Sequence, residues 1–181
     1  MIVRQTQLPD VVLIDLDPVS DERGFFGRVF CEDDFACLGL PVRFVQSSLS
    51  FNRFCGTLRG LHYAANPAQE GKLVQCTRGA IFDVIVDIRH SSAAFGRWET
   101  FELTVQNRRM LYIPPGFAHG FQTLADETDV LYSMTEPYQP GLARGIRWND
   151  ASLGIPWPRL NPILSERDAA LPGLDTAMAQ G

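Results

Sequence analysis

The chain has 181 residues, 45% hydrophobic and 20% charged, an ordinary composition for a globular protein long enough to bury a core. A formal net charge of −5 argues against a surface built for polyanions, so nucleic acid is not an expected partner, and an anionic ligand must meet a local cluster of Arg and Lys. No stretch approaches the roughly 18 apolar residues of a membrane span, and Met1–Asp10 lacks the apolar run of a signal peptide.

Repeats, low-complexity tracts and linkers are absent, so residues 1–181 are read as a single domain. In chain order, Asp33–Leu40 is expected to be a short helix, and Val42–Ser47, Leu58–Tyr63 and Lys72–Thr77 are candidate strands. In Ala80–Ile88, Phe82, Val84, Val86 and Ile88 share one face while Asp83 and Asp87 alternate onto the other. Phe101, Leu103 and Val105 alternate with Glu102 and Thr104 in the same way. A period of two marks half-buried antiparallel strands. Arg109–Pro114, Gly120–Leu124 and Val130–Met134 are further candidates. Turn signals at Thr77-Arg78-Gly79, Gln106-Asn107-Arg108, Pro115-Gly116 and Asp126-Glu127 separate the strands. Many short strands at this spacing predict a sandwich or barrel. A last helical piece opens at Ser165, where Ser165-Glu166-Arg167-Asp168 has the form of a capping box.

The four cysteines, Cys31, Cys37, Cys55 and Cys76, form no C-x-x-C pair and no zinc-like spacing, so reduced thiols and a cytoplasmic location are expected. Of the three histidines, His90 reads as a surface residue. The other two stand in distinctive settings. His62 follows Leu58-Arg59-Gly60-Leu61, and His119 closes Pro114-Pro115-Gly116-Phe117-Ala118. The P-x-G-x-x-H spacing of the latter resembles the second motif of the cupin barrels. Cupin metal sites usually add H-x-H, but Ala64 stands where the second histidine would be, which leaves too few ligands for a catalytic metal. A histidine titrates near working pH and suits general-base chemistry. Arg59 and Lys72 crowd the same region, and unpaired cations are too costly in an apolar core. Either these side chains point to water, or they line a pocket for an anion.

Taken together, Leu58–Tyr63, Gly71–Val74, Gly79–Arg89, Phe95-Gly96 and Ile113–Phe121 resemble the dTDP-4-dehydrorhamnose 3,5-epimerase family. The likeness begins near Asp21–Phe26 and continues through Leu131-Tyr132, Tyr138-Gln139-Pro140, Trp148-Asn149-Asp150 and Trp157-Pro158 to Leu164–Asp168. It implies an all-β, cupin-type antiparallel β-barrel or jelly roll with a few short helices, a homodimer, no metal and no other cofactor. The substrate it implies is a nucleotide-linked 4-keto-6-deoxyhexose, inverted at C3, at C5 or at both.

By the same resemblance His62 is the base and Asp168 the carboxylate that orients it, although Asp168 could instead complete the capping box. Lys72 steadies the enolate oxygen, and Tyr132 donates the proton from the opposite face. Arg23, Arg59 and Arg167 meet the diphosphate or its surroundings, while Gln46, His119 and Tyr138 fall in the substrate pocket. Arg28 and Ala143 stand where the family commonly carries glutamate, Ser48 where it has asparagine, and Ala64 where it has glutamine. These departures leave the acid and base in place and bear on which nucleotide and sugar are taken. Two readings of another class remain beside this one. A metal-dependent cupin oxygenase or isomerase would hold stoichiometric metal. A non-catalytic sugar-nucleotide module would not exchange substrate protons with solvent, and the coexistence of His62, Lys72 and Tyr132 tells against it.

Overall fold

A computed structural model describes residues 1–179. Its strands β1 (Ile2–Gln5), β2 (Val12–Asp15), β10 (Met110–Ile113), β7 (Lys72–Arg78), β12 (Thr128–Met134) and β5 (Gln46–Asn52) form a six-stranded sheet in the order β1-β2-β10-β7-β12-β5. The facing five-stranded sheet runs β13-β6-β11-β8-β9, from Ala143–Gly145, Leu58–Ala64, Phe117–Thr123, Ala80–Asp87 and Trp98–Thr104. A separate two-stranded ribbon pairs β3 (Val19–Asp21) with β4 (Gly24–Phe26). Neighbouring strands in all three sheets are antiparallel. The architecture is the all-β, cupin-like jelly roll that the sequence predicts.

Alternation explains how the two sheets close on each other. Val74, Leu111, Ile113 and Val130 from one sheet meet Ile81, Ile85, Leu103 and Phe121 from the other in a shared core. The intervening residues face outward, and on both sheets they are covered. Val12, Ile14, Met110 and Tyr112 lie under Phe35 of the short helix α1 (Glu32–Cys37) and under Leu40. Leu61, Val84, Val86 and Ala118 lie under Ile146, Leu153, Trp157 and Leu174 of the C-terminal segment.

That second layer corrects the half-buried reading of Ala80–Ile88. β8 has a strand on either side and is buried on both faces. Val84 and Val86 lie under the C-terminal segment, and Asp83 and Asp87, fully enclosed, are turned with Ile81 and Ile85 to the facing sheet. Such carboxylates need partners. Asp87 accepts from Arg89 Nη2 at 2.7 Å and Ser92 Oγ at 2.7 Å, while Asp83 pairs with His119. Phe101 and Leu103 do face the core while Glu102 is exposed, as their alternation predicts, but the pattern stops there. Thr104 is buried and Val105 exposed, because β9 ends at Thr104, which is tied to Asn107 in the turn.

Other boundaries shift for local reasons. The strand expected at Val42–Ser47 instead occupies Gln46–Asn52, because Phe44 packs edge-on against Phe30 and Phe35 beside α1. The C-terminal helical piece divides at Pro172-Gly173 into α2 (Glu166–Ala169) and α3 (Leu174–Ala179). All four cysteines are free thiols, and no helix among the described residues is long and apolar enough to cross a membrane.

Candidate active site

The register brings His62, Lys72, His119 and Tyr132 near one another. On β6 and β11, His62 and His119 are direct cross-strand partners. On the opposite sheet Tyr132 of β12 stands between Val74 and Ser48, and Met134 stands between Lys72 and Gln46. The Tyr132 ring crosses the interior to meet the His119 ring edge-on, centroids 6.0 Å apart. His62, Lys72 and Tyr132 then line a cleft of about 170 Å³, together with Glu70, Tyr138 and Arg167.

His62 Nε2 lies 2.7 Å from Asp168 Oδ1, with the carboxylate almost fully buried and the imidazole 37% exposed. The second carboxylate oxygen, Oδ2, accepts from the Gly60 N–H at 3.3 Å. Burial alone would raise the Asp168 carboxyl, but the hydrogen bond and charge of His62, the Gly60 N–H and the Arg167 charge outweigh it and hold the group below its ordinary value. His62 Nδ1 has no hydrogen-bond partner among the described residues.

The competition between capping and pairing at Asp168 resolves because its two ends do different work. Its backbone N–H donates to Ser165 Oγ at 3.1 Å, capping α2, while its side chain goes to His62. Gly60 is the residue that allows this arrangement. It has φ +116°, and a Cβ there would sit 2.6 Å from Gly120 Cα and 2.7 Å from the His119 carbonyl. No side chain fits where β6 and β11 approach so closely.

His119 Nε2 lies 2.8 Å from Asp83 Oδ2, in a second His–Asp pair far more enclosed than the first, with side chains 5% and 0% exposed. His119 does not line the cleft itself; it sits behind Tyr132. Burial pushes the Tyr132 phenol far above its ordinary value, and the Asp83 charge adds to the rise while the Arg59 charge opposes it. Lys72 Nζ pairs with Glu70 Oε1 at 3.1 Å inside the cleft wall.

The remaining residues are more peripheral. Arg59 is exposed and donates from Nε to Asn52 Oδ1 at 2.8 Å, and its charge reaches Tyr132. Gln46 Oε1 accepts from the Tyr138 N–H at 3.0 Å and so fixes the backbone of the cleft lip, while the Tyr138 side chain is half exposed. Arg167 stands exposed in the first turn of α2. Ala64 and Ala143 are cross-strand partners, and both line the cleft.

Arg23 is not brought to this cleft. It is solvent-exposed and pairs with Asp21 on the β3–β4 ribbon, whose Phe25 packs under the Arg108 guanidinium at 4.0 Å. Arg108 precedes β10, where Met110 opposes Gln75 and Ile113 opposes Lys72. The ribbon therefore meets the end of the sheet away from Lys72, roughly 10 Å or more along the strand.

Sequence reasoning missed Glu70, Asp83 and Asn52. Glu70 stands two residues before Lys72, the spacing that puts side chains on one face of an extended chain. Asp83 and Asp87 alternate with Ile81 and Ile85 on one face of β8, and carboxylates set among such residues are a sign of paired buried groups. Nothing local marks Asn52. Among the described residues no three His, Cys, Asp or Glu side chains gather as ligands of a metal ion.

Comparison with known proteins gives a consistent picture. A family model described as dTDP-4-dehydrorhamnose 3,5-epimerase matches residues 5–176. A Shigella flexneri protein of that name is 46% identical over 169 residues, covering 93% of each chain. A crystal structure of the Bacillus anthracis dTDP-4-dehydrorhamnose 3,5-epimerase with TDP and PPi bound superposes with TM-score 0.92 at 42% identity, over 94% of this chain and 98% of that one. The Legionella pneumophila dTDP-6-deoxy-D-glucose-3,5-epimerase, solved in complex with dTDP-4-keto-L-rhamnose, gives TM-score 0.92 at 39% identity, over 98% and 95%.

Proposed function

The chain belongs to the dTDP-4-dehydrorhamnose 3,5-epimerase family of isomerases, and from that premise we propose how its own residues carry the reaction. The substrate is a dTDP-linked 4-keto-6-deoxyhexose, the protein acts as one domain in the cytoplasm, and no metal or other cofactor takes part. His62, oriented and made more basic by Asp168, removes a proton from carbon adjacent to the C4 ketone. The electron pair moves onto the ketone oxygen, and the Lys72 ammonium stabilises the enolate that forms. Tyr132 returns a proton to the same carbon from the opposite face, and its phenolate is reprotonated from solvent. Repeating the sequence at the other α-carbon inverts both C3 and C5. His119 and Gln46 hold Tyr132 and Tyr138 in the pocket wall.

The observation that carries this reading is the 2.7 Å contact of His62 with buried Asp168, in one cleft with Lys72 and Tyr132. Arg167 lines the cleft and the charge of Arg59 reaches Tyr132 in its wall, and planar guanidinium groups suit a diphosphate. Arg23 enters differently. In the proposed homodimer, its exposed ribbon serves the cleft of the partner subunit. The direct test is to incubate the protein with dTDP-4-keto-6-deoxyglucose in deuterium oxide and follow C3 and C5 by NMR. Deuterium at both carbons with inverted product is expected. Incorporation at one carbon alone would make the protein a single-site epimerase, and none at either would overturn the reading.

A further inference from the structure

Glu70 lines the cleft, and the proposed reaction gives its carboxylate no task. Glu70 ends the loop after β6, and the backbone around it is tied down on both sides. The Gly71 N–H donates to Thr135 Oγ1 at 2.8 Å, the Thr135 N–H donates to the Gly71 carbonyl at 3.0 Å, and Thr135 Oγ1 donates to the Gln69 carbonyl at 3.3 Å. Gly71 itself is wedged so closely that a Cβ would meet Tyr112 Oη at 3.0 Å. From this fixed base the Glu70 carboxylate, 10% exposed, reaches the Lys72 ammonium, 15% exposed, at 3.1 Å. A solvated surface ion pair would contribute little. This pair lies in the cleft wall, largely withdrawn from water, where losing one partner strands the other charge.

A lysine ends a flexible four-carbon stem, and an unpaired ammonium spreads over many rotamers. Stabilising an enolate requires the opposite, a charge already waiting where the oxygen will become negative. Lysine carries three N–H donors. Spending one on Glu70 fixes the direction of the other two. Resting on the reaction proposed above, we infer that Glu70 is a positioning residue that fixes the Lys72 ammonium on the enolate oxygen.

The test compares Glu70→Ala and Glu70→Gln with the wild-type protein by steady-state kinetics and by the NMR order parameter of the Lys72 Cε–Nζ group in the ligand-free protein. Alanine removes the acceptor, so kcat should fall by about ten- to a hundredfold from misplacement of the charge while KM moves little. Glutamine keeps an acceptor oxygen, so its loss in kcat should be smaller. The Lys72 order parameter should fall in the same sequence. Unchanged kcat and order in Glu70→Ala would overturn the inference. So would a raised KM with kcat intact, because Glu70 would then contact substrate directly. The order parameter needs no turnover. If the wild-type protein failed to epimerise the ketosugar, the reaction would be wrong while the hold of Glu70 on Lys72 was still decided.

Discussion

Replacing Asp168 by asparagine changes one atom and cannot satisfy the geometry around it. The carboxylate accepts from both sides, with Oδ1 2.7 Å from His62 Nε2 and Oδ2 3.3 Å from the Gly60 nitrogen. An amide has one acceptor and one donor end. With its oxygen on His62, its NH2 faces the Gly60 N–H, donor against donor. With its oxygen on Gly60, its NH2 donates to His62 Nε2 and drives the imidazole proton onto Nδ1, the nitrogen that must be empty to act as base. Either outcome damages the base, and the second resembles the tautomer error that costs about 10⁴-fold in serine proteases. A fall in kcat of about 10²–10⁴-fold is expected, roughly 2.7–5.4 kcal/mol at 1.36 kcal/mol per decade. The assay is deuterium wash-in at C3 and C5, with nucleotide affinity measured in parallel to show an intact site. Stability supplies a second readout. The folded-state pKa of Asp168 is depressed below 3.8, so the carboxylate adds stability that is present above that value and is lost as pH falls through the lower folded value. The stability gap between wild type and Asp168→Asn should thus narrow as pH falls below about 4. A full-rate Asp168→Asn protein would refute the reasoning and leave that residue only its cap on α2.

Tyr132→Phe keeps the ring against His119 and removes the hydroxyl; deuterium should still enter through His62 while inverted product at C5 is lost, and a wild-type rate of inversion would give the donor role to water or another group. Arg59→Ala should weaken binding of dTDP by about 1.5–3 kcal/mol, the range for a charge-assisted hydrogen bond, as measured by calorimetry; unchanged affinity would place the diphosphate elsewhere. Sedimentation at micromolar concentration should show a dimer. A monomer there would remove the proposed route by which Arg23 serves the partner's cleft.

What could be read without coordinates follows from the range of the forces involved. The central strands announce themselves because their pattern is local: β8 and β9 carry alternation strong enough to fix which residues share a face. The strands β1, β3, β4 and β13 have 3 or 4 residues each and no run from which a period could be read. Alternation also says nothing about what covers the far face, which is why Asp83 and Asp87 read as half-buried. Their enclosure comes from the facing sheet, whose Val74, Leu111 and Val130 pack on Ile81 and Ile85 of the same β8 face, while Ile146, Trp157 and Leu174 cover the face of Val84 and Val86. The site is similar. His62, Lys72, Tyr132 and Asp168 are visible by resemblance, but Gly60, whose missing side chain lets β6 and β11 close behind His62, matters only once the two strands are adjacent. Asn52 is visible only through the hydrogen bond it accepts from Arg59.

The two His–Asp pairs share a composition and have opposite consequences, and burial decides which is which. Asp168 pairs with an imidazole that is 37% exposed, so in the proposed reaction a proton taken by His62 from the sugar can pass on to solvent. Asp83 holds an imidazole that is 5% exposed, and its own Oδ1 has no partner among the described residues. A buried carboxylate oxygen left so is costly, about 1–3 kcal/mol. Its effect on the cleft is through space. Together with burial, the Asp83 charge holds the Tyr132 phenol far above its ordinary pKa, so the hydroxyl keeps its proton across the working pH range. In the proposed reaction, the base that must be empty and the acid that must be loaded are thus both set around one cross-strand pair, His62 opposite His119. A phenol held too tightly would also give its proton too slowly. Arg59 opposes that rise, and its charge favours the phenolate left after transfer. In the proposed reaction the same guanidinium therefore acts twice, on the diphosphate and on the acid, so Arg59→Ala should slow inversion at saturating substrate as well as weaken binding.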